Sequence, residues 1–313
     1  MLLCLFPYKN SRCLLRCLLL PAEAIEKGTA YIIVWMYVIR EMEDAVDDCI
    51  NNNLTANYAE AHSWDEAVAF FTGSLEGTAG SGGGNLIFSL INKRCVEFLT
   101  CGIQGGETSG HGKLNHDIRK LFKEGQKMLA EGKCEEARGV KKEIENRMAV
   151  PLVQSTLRYA HILGTSGTKD PKSSAEGATF AAAVLPIVHH CNPASAEAIY
   201  ENMKLDAQAT SFAHVKNAFE ENYGCMGISG EDVGGLYDST TSAYFAGAEP
   251  CSGDCSGDDG SPNAVGVAIG ITAGLVVAVL GVMFFLRYKK RNSADATKPT
   301  SNPVFVQAEE PIT

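Results

Sequence analysis

The sequence predicts a mostly α-helical ectodomain followed by a single transmembrane helix. Apolar residues recur at helical spacing in most of the chain, and no segment shows the apolar–polar alternation of a half-buried strand. Residues 264–286 are uncharged and apolar throughout. At about 1.5 Å per residue, a helix of that length spans the roughly 30 Å hydrocarbon core of a bilayer.

The predicted helices of the ectodomain follow one another with glycine-rich or charged loops between them. The first is expected to start at Pro21 and to reach about Ile50, because proline is favoured in the first helical turn. Ser63-x-x-Glu66 and Ser173-x-x-Glu176 are capping-box patterns, which predict helix starts at these serines. Further helices are predicted at NLIFSLINKRCVEFL, KLNHDIRKLFKEGQKMLAEGK, MAVPLVQSTLRYAHIL, after Asn192-Pro193, and at SFAHVKNAFEENY.

The two capping boxes belong to a weak internal echo. SWDEAVAF (63–70) and SSAEGATF (173–180) share Ser-x-x-Glu-x-x-x-Phe, and each follows a long predicted helix. The echo favours an ectodomain of two related helical halves, and the alternative is chance recurrence of a capping box.

Five parts are expected along the chain. They are a leader or artificial start (1–24), a helical ectodomain (25–247), a stalk rich in Gly, Ser, Asp and Pro (248–263), the transmembrane helix (264–286) and a cytoplasmic tail (287–313). The basic run RYKKR after the apolar segment predicts a single-pass type I protein of the plasma membrane.

Two features of the membrane segment and tail predict partners. Gly266, Gly270 and Gly274 form a GxxxGxxxG face, which fits either a homodimer or the ordinary glycine content of membrane helices. The tail contains Asn302-Pro303-Val304-Phe305, which resembles the NPx-aromatic internalisation signals of endocytosed receptors. We therefore expect an endocytic adaptor at the tail and passage through endosomal vesicles.

Cysteine content and charge agree with export. Asn53-Leu54-Thr55 is a glycosylation sequon. Residues 25–263 carry 19 basic and 33 acidic side chains, which argues against nucleic acid as a partner and favours cations. An even number of cysteines before the membrane segment suits disulfides, with Cys251 and Cys255 close enough to form a local ring. The eight are Cys49, Cys95, Cys101, Cys134, Cys191, Cys225, Cys251 and Cys255.

The segment REMEDAVDDC (40–49) places five carboxylates on the end of an apolar helix. At 3.6 residues per turn, Tyr37, Glu41, Asp44 and Asp48 share one face, while Trp35, Val38, Met42, Ala45 and Cys49 form a core-facing stripe. Like charges one turn apart repel, and acids at a helix C-terminus oppose the dipole. A phenol and three carboxylates are hard oxygen ligands, so a hard cation is a candidate ligand of this face.

Several alternatives stay open for this face. Acidic runs commonly face solvent and are answered by surface Lys and Arg. Ferric iron suits an oxygen site with a tyrosine, and Ca²⁺ and Mn²⁺ are alternatives. Glu66 and Glu176 are added as candidate ligands, although a capping box explains both. No motif of a hydrolase, zinc protease or phosphate-binding loop is present, so no enzyme is expected.

Six segments in order carry a family resemblance: MYVIREMEDAVDDC, WDEAVAFFTGSLEG, NKRCVEFLTC, VPLVQSTLRYA, SAEGATFAAAVLP and DVGGLY. Over about residues 25–250 they resemble the algal iron-assimilating proteins, whose diatom members are the iron-starvation-induced phytotransferrins. The resemblance implies a cell-surface protein that binds Fe³⁺ together with carbonate as a synergistic anion and carries the iron inward by endocytosis.

The resemblance supplies no ligand assignment. The candidate metal ligands therefore remain Tyr37, Glu41, Asp44, Asp48, Glu66 and Glu176, and Arg40, Arg94 and Arg158 are candidates for holding carbonate, with Arg40 preferred. The alternative function is a surface adhesion or signalling receptor that binds no metal, or one that Ca²⁺ stabilises.

Overall fold

The computed structural model describes residues 22–51, 59–73, 84–165 and 170–251. All of them belong to one compact unit. The predicted leader up to residue 21, the Asn53 sequon, the membrane segment 264–286 and the tail motif lie outside the described residues. No helix among the described residues is long and apolar enough to cross a membrane.

The described unit is mostly helical, as predicted. Its long helices are α1 (Trp35–Ile50), α2 (Ala59–Thr72), α3 (Ile87–Phe98), α4 (Lys113–Ala130), α5 (Cys134–Thr165) and α6 (Pro171–Cys191). Shorter ones follow as α7 (Pro193–Met203), α8 (Phe212–Glu220), α9 (Tyr223–Met226) and α10 (Gly230–Val233). The strands β1 (Tyr237–Asp238) and β2 (Ala243–Tyr244) form an antiparallel hairpin that pairs Tyr237 with Tyr244.

The first helix starts earlier than α1 and contains a change of pitch. Residues 22–28 are α-helical, and the π-helical segment Thr29–Val34 connects them to α1. The predicted apolar stripe of Trp35, Val38, Met42, Ala45 and Cys49 is buried as expected. The stretch 31–39 is apolar on all sides but is not enclosed, because Ile33, Met36 and Tyr37 are each more than half exposed.

Helix α5 is the centre of the core. It packs against α1, α3, α4, α6 and α8, and residues 148–157 are buried on every side. A helix that is enclosed in this way needs no polar face. Pro151 lies within it, and the hydroxyl of Ser155 donates to the Pro151 carbonyl oxygen at 2.7 Å.

Two tryptophans attach the N-terminal helices to this core. The indole N–H of Trp35 donates to the Met148 carbonyl oxygen of α5 at 3.2 Å, and that of Trp64 donates to the Phe122 carbonyl oxygen of α4 at 2.9 Å. A buried indole N–H requires such a partner.

Both predicted capping boxes are wrong. Ser63 lies inside α2, which already includes Ala59, so Ser63 is not at a helix start. Helix α6 starts at Pro171 with Asp170 as N-cap, whose carboxylate accepts from the Ser173 backbone N–H at 2.9 Å. The helix start predicted at Asn192-Pro193 is confirmed, and the Asn192 side chain caps α7 by accepting from the Ala194 N–H.

The predicted disulfides are confirmed for six cysteines. Cys49 bonds to Cys134, Cys95 to Cys101, and Cys191 to Cys225. The first of these bonds connects the end of α1 to the start of α5. Cys251 is also disulfide-bonded, while Cys255 lies outside the described residues.

Candidate functional site

Helices α1 and α2 pack against each other and bring together Tyr37, Glu41, Asp44, His62 and Glu66, a set that we name the acidic groove. The carboxyl groups of Glu41 and Glu66 lie close enough to share a hydrogen bond when one of them is protonated. Glu66 also lies 3.1 Å from the His62 imidazole nitrogen Nε2. Glu66 was predicted as a ligand, and the structure places it beside Glu41.

In the acidic groove, the negative charge of Glu41 is only partly compensated, by the nearby positive charge of Arg40. Burial raises the pKa of Glu41, and repulsion from Glu66 and Asp44 raises it further. Within the described part of the chain, no Lys or Arg lies at ion-pair distance from this carboxylate. A bound cation would remove the repulsion, as would a proton shared between the two carboxyl groups.

Three other acids of REMEDAVDDC, Glu43, Asp44 and Asp47, have basic partners. Asp44 pairs with Arg40 at 2.7 Å. On the opposite side of α1, Glu43 is held by Arg138 and Lys141 of α5, and these hydrogen bonds lower its pKa. Arg138 also reaches Asp47 at 3.5 Å. The alternative prediction, in which surface Lys and Arg neutralise the acidic side chains, therefore describes this second side of the helix.

Tyr37 forms one wall of the acidic groove. Its ring is 51% exposed and lies 5.6 Å from the ring of Phe70, centroid to centroid. The phenol is therefore accessible to a ligand from solvent. Asp48 is half-buried one helical turn beyond Asp44 on the same helix.

Glu176 lies in a different environment from the other candidate ligands. It is buried on α6, where it accepts a hydrogen bond from the phenol of Tyr159 and lies 3.7 Å from the Lys27 ammonium nitrogen. Burial raises the pKa of Tyr159, and the hydrogen bond to Glu176 raises it further. The carboxylate therefore has a donor and a cation already, which makes it a poor candidate for a metal ligand.

The three arginines that are candidates for binding the anion lie in different places. Arg94 and Arg158 share the carboxylate of Glu97, which Arg158 contacts at 2.6 Å through Nε, and Arg94 is buried. Arg40 instead stands at the acidic groove with a mostly exposed side chain. Of the three, Arg40 is the one placed beside the candidate ligands of α1.

The internal echo has matching contacts in space. In each helix pair, α1 with α2 and α5 with α6, the phenylalanine of the echo packs against a tyrosine of the preceding helix. Tyr37 meets Phe70 at 5.6 Å and Tyr159 meets Phe180 at 5.9 Å. In the second pair the glutamate of the echo, Glu176, accepts a hydrogen bond from that tyrosine. In the first pair the glutamate of the echo, Glu66, lies against Glu41.

Three other histidines, His161, His189 and His190, lie apart from these clusters. His189 and His190 are exposed at the end of α6. His161 packs against Phe212 and Phe245, and its pKa is lowered by burial. In the described ranges, no three His, Cys, Asp or Glu side chains are already positioned to hold a metal ion. Binding at the acidic groove therefore requires its exposed side chains to turn toward the ion.

Sequence reasoning missed the partner of Tyr159, because spacing along the chain does not show a contact between two helices. Comparison of the chain with protein-family models, with curated proteins and with solved structures gives no match.

Proposed function

We propose that the acidic groove binds ferric iron and that the chain is a cell-surface receptor for iron uptake. The observation that carries this proposal is the contact between the Glu41 and Glu66 carboxyl groups, with no Lys or Arg of the described residues at ion-pair distance from Glu41. Two carboxylates, an imidazole and an accessible phenol within one groove supply oxygen and nitrogen ligands, and hard oxygen donors suit a hard cation.

The choice of iron and the requirement for carbonate come from the family resemblance. Arg40 is our candidate for holding the carbonate, because its guanidinium lies beside Asp44 in the acidic groove. Arginine binds planar oxyanions through paired N–H groups. In this proposal, the ion is held by Tyr37, Glu41, Glu66 and Asp44, and Asp44 leaves its ion pair with Arg40 so that this arginine can hold the carbonate. Protonation of the carbonate in an acidic vesicle weakens iron binding.

The remaining parts of the proposal concern the whole receptor. Residues 264–286 anchor it in the plasma membrane, and the tail motif Asn302-Pro303-Val304-Phe305 directs endocytosis. The matching tyrosine–phenylalanine contacts support two related helical halves. The first half holds the open, ion-binding groove, whereas Lys27 balances the buried glutamate of the second.

The test is an Fe³⁺ titration of the purified full-length chain with ferric nitrilotriacetate, with and without bicarbonate. We expect binding that requires bicarbonate and gives a visible phenolate-to-iron charge-transfer band. Tyr37→Phe should remove the band, and Glu66→Gln should weaken binding by on the order of tenfold or more, since a lost charged ligand costs at least about 1.4 kcal/mol. Glu43→Gln removes an equal charge outside the groove and serves as the control.

Equal Fe³⁺ binding without bicarbonate would contradict the carbonate-dependent mechanism. A Tyr37→Phe chain that keeps the full charge-transfer band would contradict the acidic groove as the site. If Fe³⁺ does not bind and Ca²⁺ raises the melting temperature instead, the chain is a calcium-stabilised surface protein.

A further inference from the structure

A cleft of about 390 Å³ lies between α2, α3 and α4, apart from the acidic groove. Its inner surface is formed by the aromatic residues Trp64, Phe71, Phe88 and Phe122, together with Val68. Its rim carries Asp65, Arg119, Lys123 and Gln126. The volume falls in the range of small-molecule pockets, about 300 to 1,000 Å³, which are typically apolar with a few polar groups.

The aromatic wall of the cleft is held rigidly. The Trp64 indole is fixed by its hydrogen bond to the Phe122 carbonyl oxygen, and the two rings meet edge to face at 5.9 Å. Phe71 packs against Phe122 at 5.5 Å and against Phe88 at 6.1 Å. A ligand would therefore enter a shape that exists before it binds, which lowers the entropy cost of binding.

The rim carries two cations that have no acidic partner among the described residues. Arg119 and Lys123 lie one turn apart on α4, and over the described residues neither is at ion-pair distance from a carboxylate. Three other lysines of α4 do reach acids: Lys113 to Asp117 at 3.0 Å, Lys120 to Asp117 at 4.0 Å and Lys127 to Glu131 at 3.8 Å. Like charges one turn apart repel each other, so an anion between them would be favoured.

We propose that this cleft binds a small organic monoanion with an aromatic or aliphatic body. Its carboxylate pairs with Arg119 and Lys123 at the rim, and its apolar body lies against Val68 and Phe88. Asp65, which accepts from the Gln126 amide at 3.3 Å, places a negative charge on the same rim. A second acidic group on the ligand would be repelled there, so the site favours monoanions over dianions.

The test is a calorimetric titration of the full-length chain with 4-phenylbutyrate, with 4-phenylbutan-1-ol as its uncharged counterpart. We expect saturable binding of the acid and binding of the alcohol that is weaker by on the order of tenfold, the loss expected for charge-assisted hydrogen bonds. Arg119→Gln/Lys123→Gln should weaken binding of the acid by a similar factor. Val68→Trp, which fills the cleft, should remove the binding of both compounds.

The matched control is Lys120→Gln/Lys127→Gln, which removes the same charge from the same helix at lysines that already have acidic partners. It should bind 4-phenylbutyrate like the unaltered chain. No saturable binding by the unaltered chain, equal affinity for acid and alcohol, equal losses in the two double variants, or full binding by Val68→Trp would each overturn the proposal.

Discussion

Glu41 and Glu43 are two residues apart on α1 and have opposite electrostatic environments. Glu41 meets another glutamate across the groove, and its pKa is raised by burial first and by like charges second. Glu43 is hydrogen-bonded by Lys141 and Arg138, and its pKa is lowered. The same chemical group therefore destabilises the folded chain at one position and stabilises it at the other.

Removal of the Glu41 charge and removal of the Glu43 charge should change the free energy of unfolding in opposite directions at pH 7. A carboxyl with a raised pKa in the folded state favours folding below the ordinary glutamate pKa of about 4.3, and this contribution is lost as pH rises. Glu41→Gln should therefore raise the free energy of unfolding at pH 7 by roughly 0.5 kcal/mol and leave it nearly unchanged near pH 4. Urea denaturation at both pH values measures the difference.

Glu43→Gln is the matched comparison. A carboxyl with a lowered pKa stabilises the folded chain above the ordinary glutamate pKa and loses that effect as pH falls. Glu43→Gln should therefore lower the free energy of unfolding at pH 7 by roughly 0.5–1 kcal/mol. The effect is of this small size because the Glu41 and Glu43 side chains are both partly exposed. A shift of the same sign for both variants at pH 7 would contradict the two environments.

At the scale of helices, the contact between α2 and α4 depends on a glycine. A Cβ atom at Gly125 would lie 2.2 Å from Cζ2 of the buried Trp64 ring. Glycine ordinarily weakens the interior of a helix by about 1 kcal/mol relative to alanine. At this position it permits the close approach that lets Trp64 donate to the Phe122 carbonyl oxygen.

Gly125→Ala should therefore destabilise the chain in spite of its higher helix propensity. We expect a loss of about 1–3 kcal/mol, the usual cost of overpacking a core. Gly139→Ala in α5 is the control, because a Cβ there meets no atom within 4 Å, and it should stabilise by up to about 1 kcal/mol. Thermal unfolding of both variants tests the contact, and a stabilised Gly125→Ala chain would show that the helices do not approach closely there.

The capping boxes show why helix starts were predicted less well than helices. Ser63 and Ser173 match the pattern, but Asp170 lies one residue before Pro171 and supplies the cap of α6 instead. A carboxylate N-cap followed by proline at the first helical position competes directly with a serine three residues later. Both glutamates of the pattern are then free for contacts with another helix.

At the scale of the whole molecule, the Cys49–Cys134 disulfide connects the first helix to the central one across 85 residues. The Cys95–Cys101 disulfide closes a loop of only six. Loop-closure entropy in the unfolded chain grows with the logarithm of loop length, which gives about 4.5 kcal/mol for the longer loop and about 2 kcal/mol for the shorter one.

Cys49→Ser/Cys134→Ser should therefore lower the free energy of unfolding more than Cys95→Ser/Cys101→Ser. Cys49, Cys95 and Cys101 are buried and Cys134 is partly buried, so the cost of placing serine hydroxyls in the core does not by itself favour a larger loss from the longer loop. Urea denaturation under non-reducing conditions measures the two losses. A larger loss from the short loop would indicate that native packing around Cys95, and not chain entropy, sets the contribution.

The sequence by itself determined the helical class, the buried stripe of α1, the helices at 113–130 and 193–203, and the use of cysteines in disulfides. The helices and the buried stripe follow from periodicity and capping, which act within a few residues. The tertiary structure decided which helix covers each remaining face. It set Glu66 against Glu41, Arg138 against Glu43, and Tyr159 against Glu176. Contacts between distant helices depend on packing of the whole core, so no local spacing reveals them.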